Sequence, residues 1–438
     1  MDLNKESIEE ILKGFFSDQA LKVTQVSEQE KFLAENENFV SDIKRWDVTV
    51  TQQEIEKQIS FVIKTSSQGS FQKKCSTLWR PFAKELFWLK RGHPTLSKLC
   101  PELKSFSPIC YYGFSTYEGR MFRPKGFLDQ TPLVLLKMFT KKSEVGIILM
   151  ENLKARDRPL KMLDKKKIMT PDQVRVAFQT LARLHGSWLK WKRLAEKEDS
   201  NQIQTRDIEG LTISMEIWKG LLKSGTEKSE RSISKLLRNQ GKDEELIGRW
   251  QKYAKEKMFH RVLDFQSTKS EIEKSKIVTL CHGDTWTNNI MFSEDESQVT
   301  FLDYQMMGLL HPAKDLWNFL SLATDADFRR DHLRSLLKDY FEVFEGYLKV
   351  SDISMTFDEF EAEFLERRDI LFSTSDLMTL VFSPHKLDFM SWSSIKAVER
   401  QRESNIAGDP KSDDHPMVLE IRRRLTTMIE EAAECNFI

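Results

Sequence analysis

The stretch that decides the fold is Cys281-His282-Gly283-Asp284-Thr285-Trp286-Thr287-Asn288-Asn289-Ile290-Met291-Phe292, which continues after a polar gap as Val299-Thr300-Phe301-Leu302-Asp303-Tyr304-Gln305. It contains two short apolar segments, predicted to pair as a β-hairpin, each with a carboxylate nearby. A His-Gly-Asp triplet, an Asn five residues after the Asp and a second Asp beyond the hairpin form the layout of a phosphoryl-transfer loop. In that chemistry one carboxylate orients the proton of an attacking hydroxyl, while an amide and a second carboxylate hold magnesium on nucleotide phosphates.

Three residues of this stretch are the predicted catalytic set. Asp284 is the candidate base, because a hydroxyl is a poor nucleophile until its proton is accepted. Asn289 and Asp303 are the candidate Mg²⁺ ligands. Each alone has an ordinary explanation as a surface, turn or strand-end residue, and the ordered set favours catalysis. Cys281 and His282 are a poor nucleophile pair, since adjacent side chains on an extended strand point to opposite faces.

The loop and the motifs that follow it resemble the ecdysteroid kinase-like family, relatives of choline kinases and aminoglycoside phosphotransferases with a protein-kinase-like fold. The family pattern is matched by His282 to Asn289, by Asp303-Tyr304-Gln305 and by Pro312-Ala313-Lys314-Asp315-Leu316. The resemblance implies an α+β, bilobal fold with a small antiparallel-sheet N-lobe and a larger, mostly helical C-lobe. It also implies that His282 is structural and that Asp315 braces the loop backbone.

The resemblance implies a function as well: an ATP-dependent kinase that uses Mg²⁺ and phosphorylates a hydroxyl of an ecdysteroid-like or other small organic alcohol. A choline- or ethanolamine-type acceptor remains an alternative. The segment between Asp303 and Pro312 is shorter than a protein-kinase activation segment, which disfavours peptide substrates. Trp286 matches the family's tryptophan and either lines the acceptor site or packs beneath the loop.

A lysine and a glutamate upstream of the loop form a second candidate pair. Lys64 ends an apolar strand predicted over residues 58–64, and Glu85 lies on a helix predicted over residues 77–98. Either residue alone would be an ordinary surface charge. Their order, strand lysine and then helix glutamate, is that of the ion pair that holds nucleotide phosphates in kinase folds.

The predicted nucleotide loop departs from the kinase pattern. It runs over residues 35–41 as Glu-Asn-Glu-Asn-Phe-Val-Ser and has no glycine. The family usually has a glycine where Asn36 stands, and asparagine tolerates positive φ better than most residues. Ser41 either binds a phosphate or caps a strand. The missing glycine supports an alternative function, a catalytically degenerate kinase fold that binds a ligand or partner without phosphoryl transfer.

The chain order divides the protein into a nucleotide-binding lobe over residues 1–150, a hinge over 151–153 and a catalytic and substrate-binding helical lobe over 154–438. At the hinge Met150 would gate the adenine pocket, while Glu151 and Leu153 would contact adenine through their backbone groups. The remaining predicted strands lie around residues 23–26, 39–50 and 109–114, with a hairpin of 132–139 and 145–150. The remaining predicted helices are 5–17, a capped helix from Thr170, 315–350, 357–372, 374–384 and 414–433.

Composition narrows the functional classes. Lys plus Arg and Asp plus Glu both number 67, so the chain lacks the basic excess of a nucleic-acid-binding protein. No apolar run approaches the roughly 20 residues of a membrane helix, and the first residues lack a signal-peptide core. The five cysteines show no metal-binding spacing and are expected to be reduced thiols. We therefore expect a cytoplasmic protein whose partner is a small hydroxylated molecule rather than nucleic acid or membrane, and the oligomeric state stays open.

Overall fold

The computed structural model describes residues 4–29, 41–66, 80–116, 144–164, 167–195, 215–265, 274–373, 406 and 416–438. Three predicted features therefore lie outside the described residues: the nucleotide loop before Ser41, the strand over 132–139 and the helix over 374–384.

A five-stranded antiparallel sheet forms the N-terminal part of the fold. Its strands are β1 (Lys22–Gln29), β2 (Ser41–Gln52), β3 (Ile55–Ser66), β4 (Cys110–Ser115) and β5 (Gly146–Glu151), in the order β1-β2-β3-β5-β4. A two-residue turn joins β2 to β3, with Gln53 and Glu54 both at positive φ. This is the turn geometry that matches the twist of hairpin strands.

Side-chain alternation gives the sheet two buried faces. On one face Ile147 and Leu149 of β5 pack with Ile8 and Leu12 of α1 (Lys5–Phe16). On the other face Ile148 and Met150 join the main core of the protein. Successive residues of a strand point to opposite faces, so a continuous apolar run such as β5 is expected where both faces are covered.

One long helical segment packs against the second face of the sheet. It consists of α2 (Pro81–Phe87), a π-helical turn (Trp88–Gly92) and α3 (His93–Leu99). The segment confirms the helix predicted over residues 77–98, apart from its first residues, which are not described. Glu144 accepts hydrogen bonds from the N–H groups of Phe82 and Ala83, so its carboxylate satisfies the start of α2.

The C-terminal part is mostly helical. Its helices are α4 (Pro171–Ala195), α5 (Met215–Asn239), α6 (Glu244–Tyr253), α7 (Phe259–Phe265), α8 (Ala313–Ala323), α9 (Ala326–Val350), α10 (Phe357–Glu366), α11 (Asp369–Ser373) and α12 (Pro416–Glu434). The predicted cap of α4 is confirmed, because Thr170 and Gln173 exchange side-chain-to-backbone hydrogen bonds of 2.9 and 3.3 Å.

The single helix predicted over residues 315–350 was wrong. The chain breaks between α8 and α9, where the Asp325 side chain accepts a 2.9 Å hydrogen bond from the Phe328 N–H. An aspartate that caps a new helix competes locally with helix continuation, and the hydrophobic periodicity does not reveal this competition.

Two small antiparallel pairs of strands carry the decisive loop. β6 (Thr279–Cys281) pairs with β9 (Gly308–Leu310), and β7 (Ile290–Phe292) pairs with β8 (Val299–Phe301). The predicted hairpin is therefore confirmed, and all twelve of these strand residues are buried. Together the sheet part and the helical part confirm the α+β, bilobal architecture, while the exact division at residues 151–153 stays a prediction.

Two further expectations concern the whole chain. Within the described residues Cys100, Cys110, Cys281 and Cys435 form no disulfide bond, and Cys75 lies outside the described residues. Among the helices of the described residues, none combines the length and the apolar character that a membrane crossing requires.

Candidate active site

A cleft lies between the sheet and the hairpin loops. The residues that line it come from the sheet, α2, the hinge and the hairpin: Ile43, Val62, Lys64, Glu85, Met150, Glu151, Asn152, Leu153, Lys154, Met162, Asn288, Asn289, Met291, Leu302 and Asp303. Seven of the predicted site residues are therefore in one cleft. Ser41 is the buried first residue of β2 and is not part of this lining.

The hinge backbone is held by its own side chains. Arg156 donates two hydrogen bonds, of 2.6 and 2.7 Å, to the Glu151 carboxylate. Asn152 accepts from the Lys154 N–H at 3.2 Å and donates to Ser60 Oγ at 2.9 Å. Leu153 begins a short 3₁₀ turn, and the first N–H groups of a helical turn have no acceptor within it. These hydrogen bonds hold the hinge in place, and its backbone contact with adenine stays a prediction.

Lys64 lies at the centre of the charged part of the cleft. Its Nζ is 2.6 Å from Glu85 Oε2 and 2.7 Å from Asp303 Oδ1. The lysine is only 4% exposed and Glu85 only 2%. Burial lowers the pKa of Lys64, but the carboxylates of Asp303 and Glu85 more than offset this and raise the pKa above its ordinary value. The ammonium therefore stays charged, in the position that suits a phosphate-binding cation.

Asp303 directs its carboxylate into the cleft from a strained backbone. Its φ of 61° and ψ of 70° are left-handed, which is uncommon for a residue other than glycine and concentrates at functional sites. The following turn is anchored by Tyr304, whose hydroxyl donates to Phe106 O at 2.9 Å and accepts from Ser107 Oγ at 2.6 Å. The anchored turn holds Asp303 toward Lys64.

Asp284 and Asn289 form the second half of the site. Asn289 Nδ2 donates to the Asp284 backbone carbonyl at 2.9 Å and to Asp284 Oδ2 at 2.8 Å. A carbonyl oxygen can only accept, so the NH₂ group of Asn289 faces Asp284 and its Oδ1 remains for another partner. The packed surroundings of Asp284 raise its pKa to about 7, and the charge of Asp303 adds to this effect, against the hydrogen bond from Asn289.

The loop is held through its backbone. Asp315 on α8 is fully buried, and its carboxylate accepts hydrogen bonds of 2.7 Å from the His282 N–H and 2.7 Å from the Gly283 N–H. A third donor, His185 Nε2 on α4, is 3.0 Å away. The ring of His282 is 2.9 Å from the Leu302 carbonyl through Nε2, while its Nδ1 accepts from the Asp284 N–H at 3.3 Å. His282 thus links the two edges of the hairpin.

Two further side chains of the loop are buried. Cys281 Sγ donates to the backbone carbonyl of His311 at 3.4 Å. Trp286 is 6% exposed, belongs to the main hydrophobic core and is also close to the Asp284 carboxylate. Both of its predicted roles, packing beneath the loop and lining the acceptor site, therefore stay predictions.

Several residues that complete the site were not predicted from the sequence. His185, Lys314 and Asn318 all contact or neighbour the loop, and Val62 and Met291 are apolar members of the cleft lining. Lys314 lies inside the Pro312–Leu316 motif, at its variable position, and offered the one usable signal. The other residues lie on ordinary helix or strand patterns, where sequence alone does not distinguish a site from a core.

The fold and the site define the class of kinase-fold proteins: an antiparallel sheet with a lysine–glutamate pair, a hinge, and a His-Gly-Asp loop with a second Asp beyond its hairpin. The chain belongs to the ecdysteroid kinase-like family, whose model matches residues 35–352. No curated protein matches the chain by sequence.

Several solved structures are similar at low sequence identity. Choline kinase from Cryptosporidium parvum Iowa II has a TM-score of 0.47 at 10% identity, covering 99% of this chain and 98% of its own. Ethanolamine kinase from Plasmodium vivax has a TM-score of 0.42 at 9% identity, covering 94% and 84%. Amicoumacin kinase in complex with AMP-PNP and Ca²⁺ has a TM-score of 0.41 at 11% identity, covering 89% and 91%. These likenesses are distant, and the family match carries the assignment.

Proposed function

We propose that this protein is an ATP-dependent small-molecule kinase that transfers the γ-phosphoryl group of ATP to a hydroxyl of a small organic alcohol. One observation carries the proposal. The ammonium of Lys64 lies 2.6 Å from Glu85 and 2.7 Å from Asp303, although Asp303 is 239 positions away along the chain. Lys64 and Glu85 are buried and Asp303 is half-buried, so the cluster carries a desolvation cost. Charge clusters of this kind are typical of functional sites, and the arrangement supports a binding site for a charged ligand.

The cleft suits a nucleotide in its polarity. One part of its lining is apolar and includes Val62, Met150 and Met291. Another part carries Lys64 between two carboxylates. An adenine ring would fit the apolar part and bond the hinge, and the phosphates would take the Lys64 ammonium in place of Asp303.

The residues present also fit a magnesium ion. Asn289 keeps Oδ1 free of its contact with Asp284, and Asp303 offers the carboxylate oxygen that Lys64 does not bind. Oxygen ligands of this kind, few in number and combined with phosphate oxygens, are what Mg²⁺ prefers. When bound, the ion would neutralise charge on the phosphates.

In this proposal Asp284 accepts the proton of the acceptor hydroxyl. The acceptor oxygen attacks the γ-phosphorus, a new P–O bond forms, and the bond to the bridging oxygen breaks so that ADP leaves with the electron pair. The proton of the hydroxyl passes to the Asp284 carboxylate. Asn289 fixes that carboxylate through its 2.8 Å hydrogen bond, which limits the rotation of the base away from the acceptor.

Small molecules rather than peptides are the proposed acceptors. The turn after Asp303 leads directly into β9 at Gly308, which leaves no room for a peptide-binding activation segment. The family name suggests an ecdysteroid-like alcohol, and we propose this class first.

The test combines binding with transfer. The purified chain is titrated with ATP and Mg²⁺ in a thermal-shift assay and then screened against hydroxylated small molecules for phosphorylated product. We expect Asp284→Ala to retain the nucleotide-dependent shift and to lose about 10²- to 10⁴-fold in transfer rate. Asp331→Ala, the same change at an exposed position of α9, is the matched control and is expected to behave as wild type.

Three results would change the proposal. Wild-type turnover by Asp284→Ala would remove Asp284 as the base. A nucleotide-dependent shift without transfer to any hydroxyl, or no shift at millimolar nucleotide, would favour the alternative of a degenerate kinase fold that binds a ligand or partner.

A further inference from the structure

Lys314 is a buried cation that the proposed transfer reaction leaves without a role. It is the second residue of α8, and its side chain is 8% exposed. An ammonium group has three donors, yet within the part of the chain that the structure describes its one hydrogen bond is to Asn318 Oδ1, at 3.3 Å. A positive charge in the first turn of a helix also opposes the helix dipole. Both its burial and its place on the helix are therefore unfavourable for stability.

The environment of Lys314 ties it to the catalytic loop. Asn318, which accepts from Lys314, donates to the Gly283 carbonyl at 3.1 Å. The carboxylates that act on the Lys314 charge are those of Asp315 and Asp284. Asp315 already accepts from two loop N–H groups and faces His185 Nε2. Asp284, whose carboxylate accepts one side-chain hydrogen bond from Asn289, is the second carboxylate whose field acts on the ammonium.

Lys314 acts on Asp284 from α8 and does not line the nucleotide cleft. Asn289 lines that cleft and hydrogen-bonds Asp284, whereas neither Asp284 nor Lys314 belongs to its lining. Burial lowers the pKa of Lys314 to about 8, so the group is still mostly protonated at neutral pH. An alcohol that presents its hydroxyl to Asp284 would therefore lie near a positive charge.

We propose that Lys314 is a specificity-determining residue of the acceptor site, which admits alcohols that are neutral or anionic near the reacting hydroxyl and repels those that carry a cationic group there. This inference rests on the proposed kinase function and restricts the class of alcohols that the enzyme accepts. It disfavours choline- and ethanolamine-type acceptors, because their ammonium lies two carbons from the hydroxyl. In a partly buried site, repulsion between the Lys314 ammonium and a cationic group near the reacting hydroxyl would change selectivity by about 10- to 100-fold.

The test uses a matched pair of alcohols. Choline and 3,3-dimethyl-1-butanol share one shape and differ in charge, because a quaternary nitrogen in one replaces a quaternary carbon in the other. The full chain is incubated with ATP and Mg²⁺, and kcat/KM is measured for each alcohol by ³¹P NMR of the phosphorylated product. If turnover of the pair is slow, their inhibition constants are measured against the best acceptor from the hydroxyl screen. Comparing the two alcohols cancels any common effect of a variant on Asp284 or on folding.

Wild type is expected to prefer the neutral alcohol by roughly tenfold or more. In Lys314→Met, which keeps the length of the side chain without the charge, the preference should fall to near unity. Lys314→Arg keeps the charge and should keep the preference, and Lys314→Gln replaces the Met variant if that fails to fold.

A wild-type preference for choline, or an unchanged ratio in Lys314→Met, would overturn the inference while leaving the kinase function intact. If the wild type consumes no ATP and phosphorylates no hydroxyl compound, the proposed function is overturned and this inference with it.

Discussion

Replacing Gly283 by alanine would test whether the catalytic loop must approach the Asp303 turn as closely as the structure shows. Gly283 has a φ of +85°, and a Cβ built there lies 2.1 Å from the Met306 carbonyl oxygen and 2.7 Å from its carbon. Met306 ends the short turn that begins directly after Asp303. The obstacle is backbone, so no side-chain rotation relieves it.

The magnitude has two parts. An alanine held at positive φ costs about 1–2 kcal/mol relative to glycine. The overlap requires a displacement of about 1 Å, since real Cβ contacts are rarely closer than 3.0 Å and packed interiors yield little. We expect Gly283→Ala to lower the free energy of unfolding by about 3 kcal/mol or more, in the range reserved for strained or overpacked sites. Moving Asp303 away from Asp284 by a similar distance should lower kcat by about 100-fold.

The assay is denaturant unfolding followed by fluorescence, together with phosphoryl transfer under saturating ATP. Gly308→Ala is the matched control, because it introduces the same methyl group on the neighbouring strand β9, where a Cβ meets nothing within 4 Å. The control should unfold within about 1 kcal/mol of wild type and keep its activity. If Gly283→Ala unfolds at the wild-type midpoint and transfers phosphate normally, the close approach of loop and turn is not required and our account of the site geometry is wrong.

Three further predictions follow from other parts of the site. Lys64→Met should lose about 100-fold or more in kcat/KM for ATP, whereas Lys57→Met, the same change at an exposed position of β3, should leave kinetics unchanged. Asp315→Asn should lower stability at pH 7 by about 3 kcal/mol, since an amide cannot accept from all the N–H groups around it. Hydrogen bonds and the charge of His185 outweigh burial and hold the Asp315 pKa below its ordinary value, so this stability difference should be complete above about pH 4 and shrink as pH falls further. Thr170→Ala should cost about 1 kcal/mol through loss of the α4 cap without changing kcat; a change in turnover would link that cap to the site.

The parts of the site that could be predicted are those whose chemistry requires particular residue types at short spacing. Asp284 and Asn289 share one loop, and Asp303 follows one hairpin later, so their meeting in space follows from local geometry. Lys64 and Glu85 were predictable because a strand-end lysine followed by a helix glutamate is a recurring arrangement in kinase folds.

The parts that could not be predicted depend on tertiary contacts. His185 contacts Asp315, which is 130 positions away along the chain. The role proposed for Lys314 depends on its burial and on its interaction with Asp284, and tertiary packing determines both. The break at Asp325 was missed because a helix cap and a surface aspartate look alike in sequence. The left-handed backbone of Asp303 also has no sequence signal, since strain becomes visible only in φ and ψ.

The hold on the loop has a consequence for redesign. The side chains of Asp315 and Asn318 hydrogen-bond backbone groups of His282 and Gly283 rather than any side chain that an acceptor would contact. A library that randomises the proposed acceptor site, Lys314 among its residues, can therefore keep these two anchors. If the proposed function holds, such a library would change the accepted alcohol while the loop backbone keeps its place.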